Sequence, residues 1–542
     1  MALLRRASWT SAAVRRVLVA AIVLLSIGSL LYLRQISVAE WQLDPRAMLN
    51  AHLRAPSPVW QQPLVMQHYG ESREHPLRGL LKQRSSIVNK EQSQILAMTQ
   101  HAWAAYWRDG NRCDVLDVVS QTGRTMYEHD MALTLIASLD TLLVLGMHEA
   151  FDEAVAWIKR NMAEQVAAPG HVSFFVTTTE SLAGLLSAYY LSGEQYLLDL
   201  AKEIGTKLKQ AFDGSTRGNP SLAEATSFQL EFMYLAELTG RRDFLEHVAH
   251  VNTIASFNEK MSDMTRDFYD DGLVPVYIDW DAMRGFSTNV SFGSLGDSYY
   301  EYLLKQWLLS GKTDNAMKKR YMQAVVGMRM RLVASAKTSK LPFLGLLKPD
   351  GTLERQMDHS ACFMPGLLAL GAFHGLPKAH LELGQHLIES CVQLGGVDEW
   401  QPMYSKSNTK LAPSVIHFEE SLGPSSEASE FFVLPAEDFN QLGSETVESL
   451  FVLYRVTKDD KYRQYGRDIM EAIETHAKVQ GGGYSSLANV FLGPTKPHGS
   501  TMEPHLLSST LKYLYLLFSD DDLLPLDSVV FNTCGHPFPV FT

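Results

Sequence analysis

The chain has 542 residues, 46% hydrophobic and 20% charged, enough for one large domain or two or three ordinary ones. Its formal net charge of −12 argues against nucleic acid as the main partner, which calls for a basic footprint. Four cysteines are too few for a disulfide scaffold, and without a C-x-x-C pair a structural zinc lacks its usual ligands.

The N-terminus is the first informative element. Arg5, Arg6, Arg15 and Arg16 precede the uncharged run VLVAAIVLLSIGSLLYL, Val17 to Leu33, which reaches the lower limit of about 17 residues for a membrane span. No small-residue cleavage site follows it cleanly, and the basic side stays cytosolic. The expectation is a cytosolic tail over 1–16, a signal anchor over 17–33 and a lumenal remainder, as in a single-pass type II protein. A cleaved signal peptide is the alternative. Residues 34–90 contain Pro and Gln, are weakly periodic, and read as a stem.

From 91 to 542 the signal is helical. LTLIASLDTLLVLGM, AGLLSAYYLSG, LEFMYLAELTG, YYEYLLKQWLLSG and VESLFVLYRVTKD each form an apolar helix that stops at Gly or a polar turn. A more charged helix usually follows, such as EQYLLDLAKEIGTKLKQAF or KYRQYGRDIMEAIETH. This predicts recurring hairpins of a buried inner helix and an amphipathic outer one. Their irregular spacing favours a closed ring with a central cavity over a solenoid. GLVPVYIDW and GGGYSSL predict small β-hairpins at the rim.

No Gly-rich phosphate loop, G-x-S-x-G elbow or H-E-x-x-H helix is present. What remains is a set of carboxylates at apolar helix ends: Asp140, Glu224, Glu231, Asp297, Glu301, Glu445, Glu448 and Glu503. Each alone reads most simply as salt-bridged or solvated. Together, facing one aromatic-lined cavity, they are what acid/base cleavage of a glycosidic bond requires. Cys362 and Cys391 bracket an apolar stretch and can pair in an oxidising lumen, whereas Cys113 and Cys534 have no obvious partner. Asn289-Val290-Ser291 is a glycosylation sequon compatible with lumenal exposure.

These motifs resemble those of the class I α-1,2-mannosidases, glycoside hydrolase family 47, which includes the ER-degradation mannosidase-like proteins. LTLIASLDTL (133–142), GLLSAYYLSG (184–193), LAEATSFQLEF (222–232), GDSYYEYLLKQWL (296–308), MDHSACFMPGLLALG (357–371), ETVESLFVLYRVT (445–457), TLKYLYLLFSDD (510–521) and FNTCGHPFPV (531–540) follow in the family's order. The resemblance implies an all-α (αα)7 barrel, bound Ca2+, inverting hydrolysis of α-1,2-linked mannose and a Cys362–Cys391 disulfide. It also implies a place in the ER or Golgi membrane. By position, Glu445 matches the family's proposed base, Asp297 a catalytic carboxylate and His359 a histidine near the reacting sugar. Glu224, Glu448 and Glu503 match carboxylates that line the barrel and bind substrate, and Thr533 matches the calcium residue.

The departures are as informative as the matches. In FFVTTTESLAGLLSAYYLSG, Phe174 to Gly193, the family's acid position is Val176 and its arginine position is Glu180. Valine donates no proton, and an anion replaces a cation. If the segment is helical, Glu180 lies about 6 Å along from the acid position. The family's R-G-D reads Leu295-Gly296-Asp297, its R-P-E-T reads Gly443-Ser444-Glu445-Thr446, and its N-T-E-A-H reads Asn532-Thr533-Cys534-Gly535-His536. Ala137 replaces a further Asp. Three functional readings follow. One is a working mannosidase acting on high-mannose glycans or glycoproteins, with Asp297 or a water-linked Glu180 as acid. The second is a lumenal lectin, favoured by the lost acid. The third is an enzyme for a small non-glycan metabolite, favoured by the lost arginines.

Overall fold

The computed structural model describes residues 77, 79, 81, 89–168, 170–213, 220–249, 271–279, 284–285, 288–392, 407–418, 430–492 and 499–542. The expected tail, the membrane anchor at 17–33 and most of the stem lie outside the described residues. Within the stretch read as stem, Leu77, Gly79 and Leu81 are helical, and Leu81 is buried. Among the described residues no helix is long and apolar enough to cross a membrane.

The structure is mostly helical. Its main helices are α1 (Lys90–Asp109), α2 (Leu133–Val144), α3 (His148–Ala167), α4 (Ala183–Ser192), α5 (Gln195–Asp213), α6 (Gln229–Thr239), α7 (Asp297–Leu309), α8 (Asn315–Arg331), α9 (Met364–Phe373), α10 (Lys378–Cys391), α11 (Glu445–Thr457), α12 (Lys461–His476) and α13 (Leu511–Leu517). α2 packs on α4, α4 on α6, α6 on α7, α7 on α9, α9 on α11 and α11 on α13. The π-helical turn Leu506–Thr510 that leads into α13 packs back on α2, so the series closes on itself. A second helix lies outside most members: α3 on α2, α5 on α4, α8 on α7, α10 on α9, α12 on α11 and α1 on α13.

Sequence explains the two layers. Every residue of α2 is buried, as expected of a helix that is apolar all round. α12 instead buries Tyr462, Gly466, Ile469, Met470 and Ile473, one helical stripe, and turns its charges outward. The expected glycine stops are present: Gly193 and Gly240 end α4 and α6 at φ 72° and 68°, a conformation that costs glycine little. Two other glycines set inner-helix contacts. A Cβ at Gly184 would come within 2.8 Å of the Ile136 carbonyl, and one at Gly366 within 2.7 Å of the Ser449 Cα.

The strands are short. Val415–Phe418 pairs antiparallel with Gln356–Asp358, placing Val415 opposite Asp358, and so supports the turn that carries His359. Val529–Phe531 and Pro537–Pro539 form a hairpin against α7 and α4. Its turn carries Thr533 and buries Asn532 and His536 completely. Ile278–Asp279 falls within one of the two segments expected to form hairpins, and in the other Tyr484 forms an isolated bridge with Lys478, which lies just ahead of that segment. Cys362 and Cys391 are joined by a disulfide, and Cys113 and Cys534 are free thiols.

Candidate active site

Two groups of polar residues meet the interior ends of the inner helices. The first begins at the N-terminus of α7. Asp297 is the first residue of that helix and accepts a 2.8 Å hydrogen bond from the Ser298 N–H. Burial pushes its carboxyl up to about 8 despite that bond, and the nearby Asp358, Glu445 and Glu301 add to the shift. Glu445 is the first residue of α11. His359 Nδ1 stands 3.8 Å from Glu445 Oε2, while Nε2 lies 3.0 Å from the Thr446 hydroxyl. A Cβ at Gly443 would collide with Glu445 Oε2 and lie 3.3 Å from its Cδ. The absence of a side chain at 443 thus creates the space that this carboxylate fills.

One turn further along the same two helices lies a closed ion triad. Lys305 Nζ bonds Glu301 and also Glu448, the latter at 3.0 Å. Burial pushes Glu448 up to about 7, against the pull of Lys305.

The second group surrounds the 532–536 turn. Asp140 Oδ2 accepts from Lys512 (2.8 Å), Ser187 (2.8 Å) and His536 Nδ1 (2.9 Å). Burial opposes its ionisation, but Lys512 and His536 hold it down to about 2. Lys512 also donates to the Gly535 carbonyl. Burial disfavours charge on His536 too, yet Asp140 and then Glu180 outweigh it and raise its pKa. Asn532 Nδ2 donates to the Thr179 carbonyl and to Glu231 Oε1, each at 2.8 Å, and Tyr302 donates to the same oxygen at 2.7 Å. Burial pushes Glu231 up to about 7 even so.

The Thr-rich stretch is where helical geometry changes. Thr177–Leu182 forms a π-helical turn between the short helical turn Phe174–Val176 and α4. Thr178 and Thr179 return their hydroxyls to the carbonyls of Phe174 and Phe175, at 2.7 and 2.9 Å, which satisfies acceptors a π turn leaves open. Val176 is half-buried and Glu180 is turned inward. Glu180 Oε2 stands 3.6 Å from His536 Nε2, and its carboxylate meets the Cys534 thiol.

The remaining expected site residues are more dispersed. Glu224 is exposed and completes a capping box with Ser221, accepting from its N–H and hydroxyl at 3.0 and 2.9 Å. Glu503 is half-buried ahead of the π turn at 506. Leu295 is 42% exposed at φ 75°, Asn289 is half-buried, and Ala137 is fully buried in α2. Sequence reasoning did not single out Lys305, Lys512, His536 or Tyr302. Lys512 had a signal, as the lone cation inside an apolar helix. Asp140 had the same signal, so two buried opposite charges called for each other.

Among the described residues, no three His, Cys, Asp or Glu side chains converge closely enough to form a metal cluster. Any cation here would rely on other oxygens as well.

The model of the family described as "Glycosyl hydrolase family 47" matches residues 98–540. The chain is 38% identical to the human endoplasmic reticulum mannosyl-oligosaccharide 1,2-alpha-mannosidase over 480 residues, which are 84% of this chain and 65% of that protein. It is 33% identical to the pig mannosyl-oligosaccharide 1,2-alpha-mannosidase IA over 86% of this chain and 71% of that one. The solved alpha-1,2-mannosidase from Trichoderma reesei aligns with a TM-score of 0.73 at 23% identity, over 83% of this chain and 99% of that structure, and shares its fold. The chain belongs to glycosyl hydrolase family 47.

Proposed function

We propose that this chain is a glycosidase of the secretory pathway that removes terminal α-1,2-linked mannose, with Asp297 as proton donor and Glu445 as base. The observation that carries this reading is a buried, proton-holding carboxyl, Asp297, with a second carboxyl, Glu445, as its neighbour. Asp297 is pushed up to about 8 and so keeps its proton at neutral pH. Glu445 lies beside His359, whose Nδ1 stands 3.8 Å from its Oε2. A carboxyl that keeps its proton suits the acid role, which leaves Glu445 for the base. Glu445 takes a proton from water as the water oxygen attacks the anomeric carbon. Asp297 gives its proton to the departing glycosidic oxygen, and one attack from the opposite face inverts the anomer. Thr446 fixes the His359 ring, and Gly443 leaves room for the Glu445 carboxylate.

The closed series of inner helices with outer partners supports an (αα)7 barrel around this site. The mannosidase relatives and the disulfide support a lumenal location in the ER or Golgi, with a mannosyl-oligosaccharide as substrate. Calcium fits the second group. Thr533 sits in its turn, and the fully buried Glu231 has one oxygen, Oε2, with no hydrogen-bond donor. The Thr533 hydroxyl and carbonyl, with Glu231 nearby, would hold the ion. When bound, the ion supplies a hard centre that binds and orients sugar hydroxyls.

A second reading rests on Leu295. An exposed leucine at the site's edge, where the resemblance has arginine, suits an apolar or small ligand, or binding without turnover. The test is to incubate the purified protein with α-1,2-linked mannobiose and follow the products by NMR. Early appearance of β-mannose, abolished by Asp297→Asn, is expected. No mannose release at any pH between about 5 and 8 would reject hydrolysis and favour the second reading.

A further inference from the structure

The sequence leaves a chemical gap at the 532–536 turn. The residue after Thr533 is Cys534, and a thiol is a poor partner for a hard cation, which selects oxygen. Glu180 reaches the same place from another element. It is 7% exposed, and its Oε2 accepts no hydrogen bond. The imidazole facing it, His536, is 3.6 Å away and already bonded through Nδ1 to Asp140. Glu231, 0% exposed, likewise leaves Oε2 without a donor. The two carboxylates flank one turn: Glu231 is held by Asn532, and Glu180 meets Cys534. Thr533 lies between those contact residues. Burying two carboxylate oxygens without donors is costly. The π turn is the device that brings Glu180 there, because its extra residue per turn rotates position 180 relative to an α-helical continuation of α4.

We propose that Glu180 is a cation-binding carboxylate of the Thr533 site, supplying from the π turn the anionic oxygen that position 534 lacks. This inference rests on the reading of Thr533 as a calcium residue. It differs from a role for Glu180 as a mere counter-ion to His536, which would leave cation affinity unchanged when the charge at 180 is removed.

The test is calcium titration of the purified full-length protein by isothermal calorimetry, with wild type, Thr533→Ala, Glu180→Gln and the double variant Glu180→Gln/Cys534→Glu. Wild type should bind one calcium ion, and Glu180→Gln should weaken it by about tenfold or more, the scale seen when a supporting partner of a metal site is removed. Returning a carboxylate at 534 in the double variant should recover most of that loss. Wild-type binding with Glu180→Gln within about twofold of it overturns the inference and leaves the calcium reading standing. No binding by wild type, or binding indifferent to Thr533→Ala, overturns both. Thermal midpoints in chelator check folding. If Glu180→Gln fails to fold, Glu180→Asp keeps the charge but withdraws it by one methylene. Weaker binding by that variant at an unchanged metal-free midpoint supports the inference, and unchanged affinity overturns it.

Discussion

The Asp140 cluster and the Asp297–Glu445 pair are built from the same residue types and behave oppositely. Asp140 is fully buried, accepts from Lys512, Ser187 and His536, and is held down to about 2. Asp297 receives one backbone hydrogen bond, has three carboxyl groups as neighbours, and is pushed up to about 8. A paired buried charge fixes helices to one another. A buried carboxyl short of partners holds a proton that chemistry can use. The difference separates groups that tie helices together from groups proposed to react.

The strongest way to break this comparison is to unpair the satisfied side. Lys512→Met leaves Asp140 buried with only His536 as a cation and should cost about 3–5 kcal/mol of stability, read by denaturant unfolding. A loss under about 1 kcal/mol, the size of a surface pair, would show that the cluster does not hold the fold. Asp297→Asn should do the reverse. Mannose release should fall by about 10²–10⁴-fold, while the unfolding midpoint stays the same or rises, since a neutral amide replaces a poorly hosted carboxylate.

The third test concerns Glu445, the proposed base. Gly443→Ala should displace the Glu445 carboxylate and lower kcat by about tenfold with little change in KM, as expected for a lost transition-state contact. Unchanged kcat would mean that the carboxylate relaxes into an equally good position. Returning arginine at 443, as the family pattern suggests, should be worse than alanine unless Glu445 finds a new place. The same logic applies to returning the family pattern at positions 176 and 180. Glu180→Arg would face His536 and leave no carboxylate at 534, so Val176→Glu/Glu180→Arg should gain activity only when Cys534→Glu is added. Mannose release by the double and triple variants decides it.

The smallest effect is on pH. A carboxyl raised in the folded state binds its proton more tightly there than when unfolded, so it favours folding at low pH. That contribution is whole below the ordinary value of 3.8 for Asp297 and is lost as pH rises through about 8. Asp140 has the opposite sign: its contribution is present above 3.8 and lost as pH falls through about 2. Asp297→Asn should therefore flatten the decline of stability between pH 4 and 8 while leaving the acid limb in place. A profile unchanged by the substitution would place the titrating group elsewhere, with Glu231 next to be examined by Glu231→Gln.

Much of the scaffold was legible in the chain itself. Inner and outer helices and their glycine stops follow from periodicity and turn chemistry, which are local and written along the sequence, whereas the Cys362–Cys391 pairing was implied by the family resemblance. Family motifs mark Asp297, Glu445 and His359 as candidates, and the fold sets His359 beside Glu445. Other assignments needed neighbours distant in the chain. Glu224 has the residue type and position of a cavity carboxylate, yet it closes a capping box. Glu180 read as a misplaced acid about one helical turn along, until a π turn set it against Cys534 and His536. Whether a carboxylate is paired, protonated or waiting for a cation depends on groups hundreds of residues away, such as Lys512 for Asp140 and Asn532 for Glu231. Sequence determined which charges enter the interior. Only the tertiary structure decided which of them found partners there, because desolvation and pairing act through space and not along the chain.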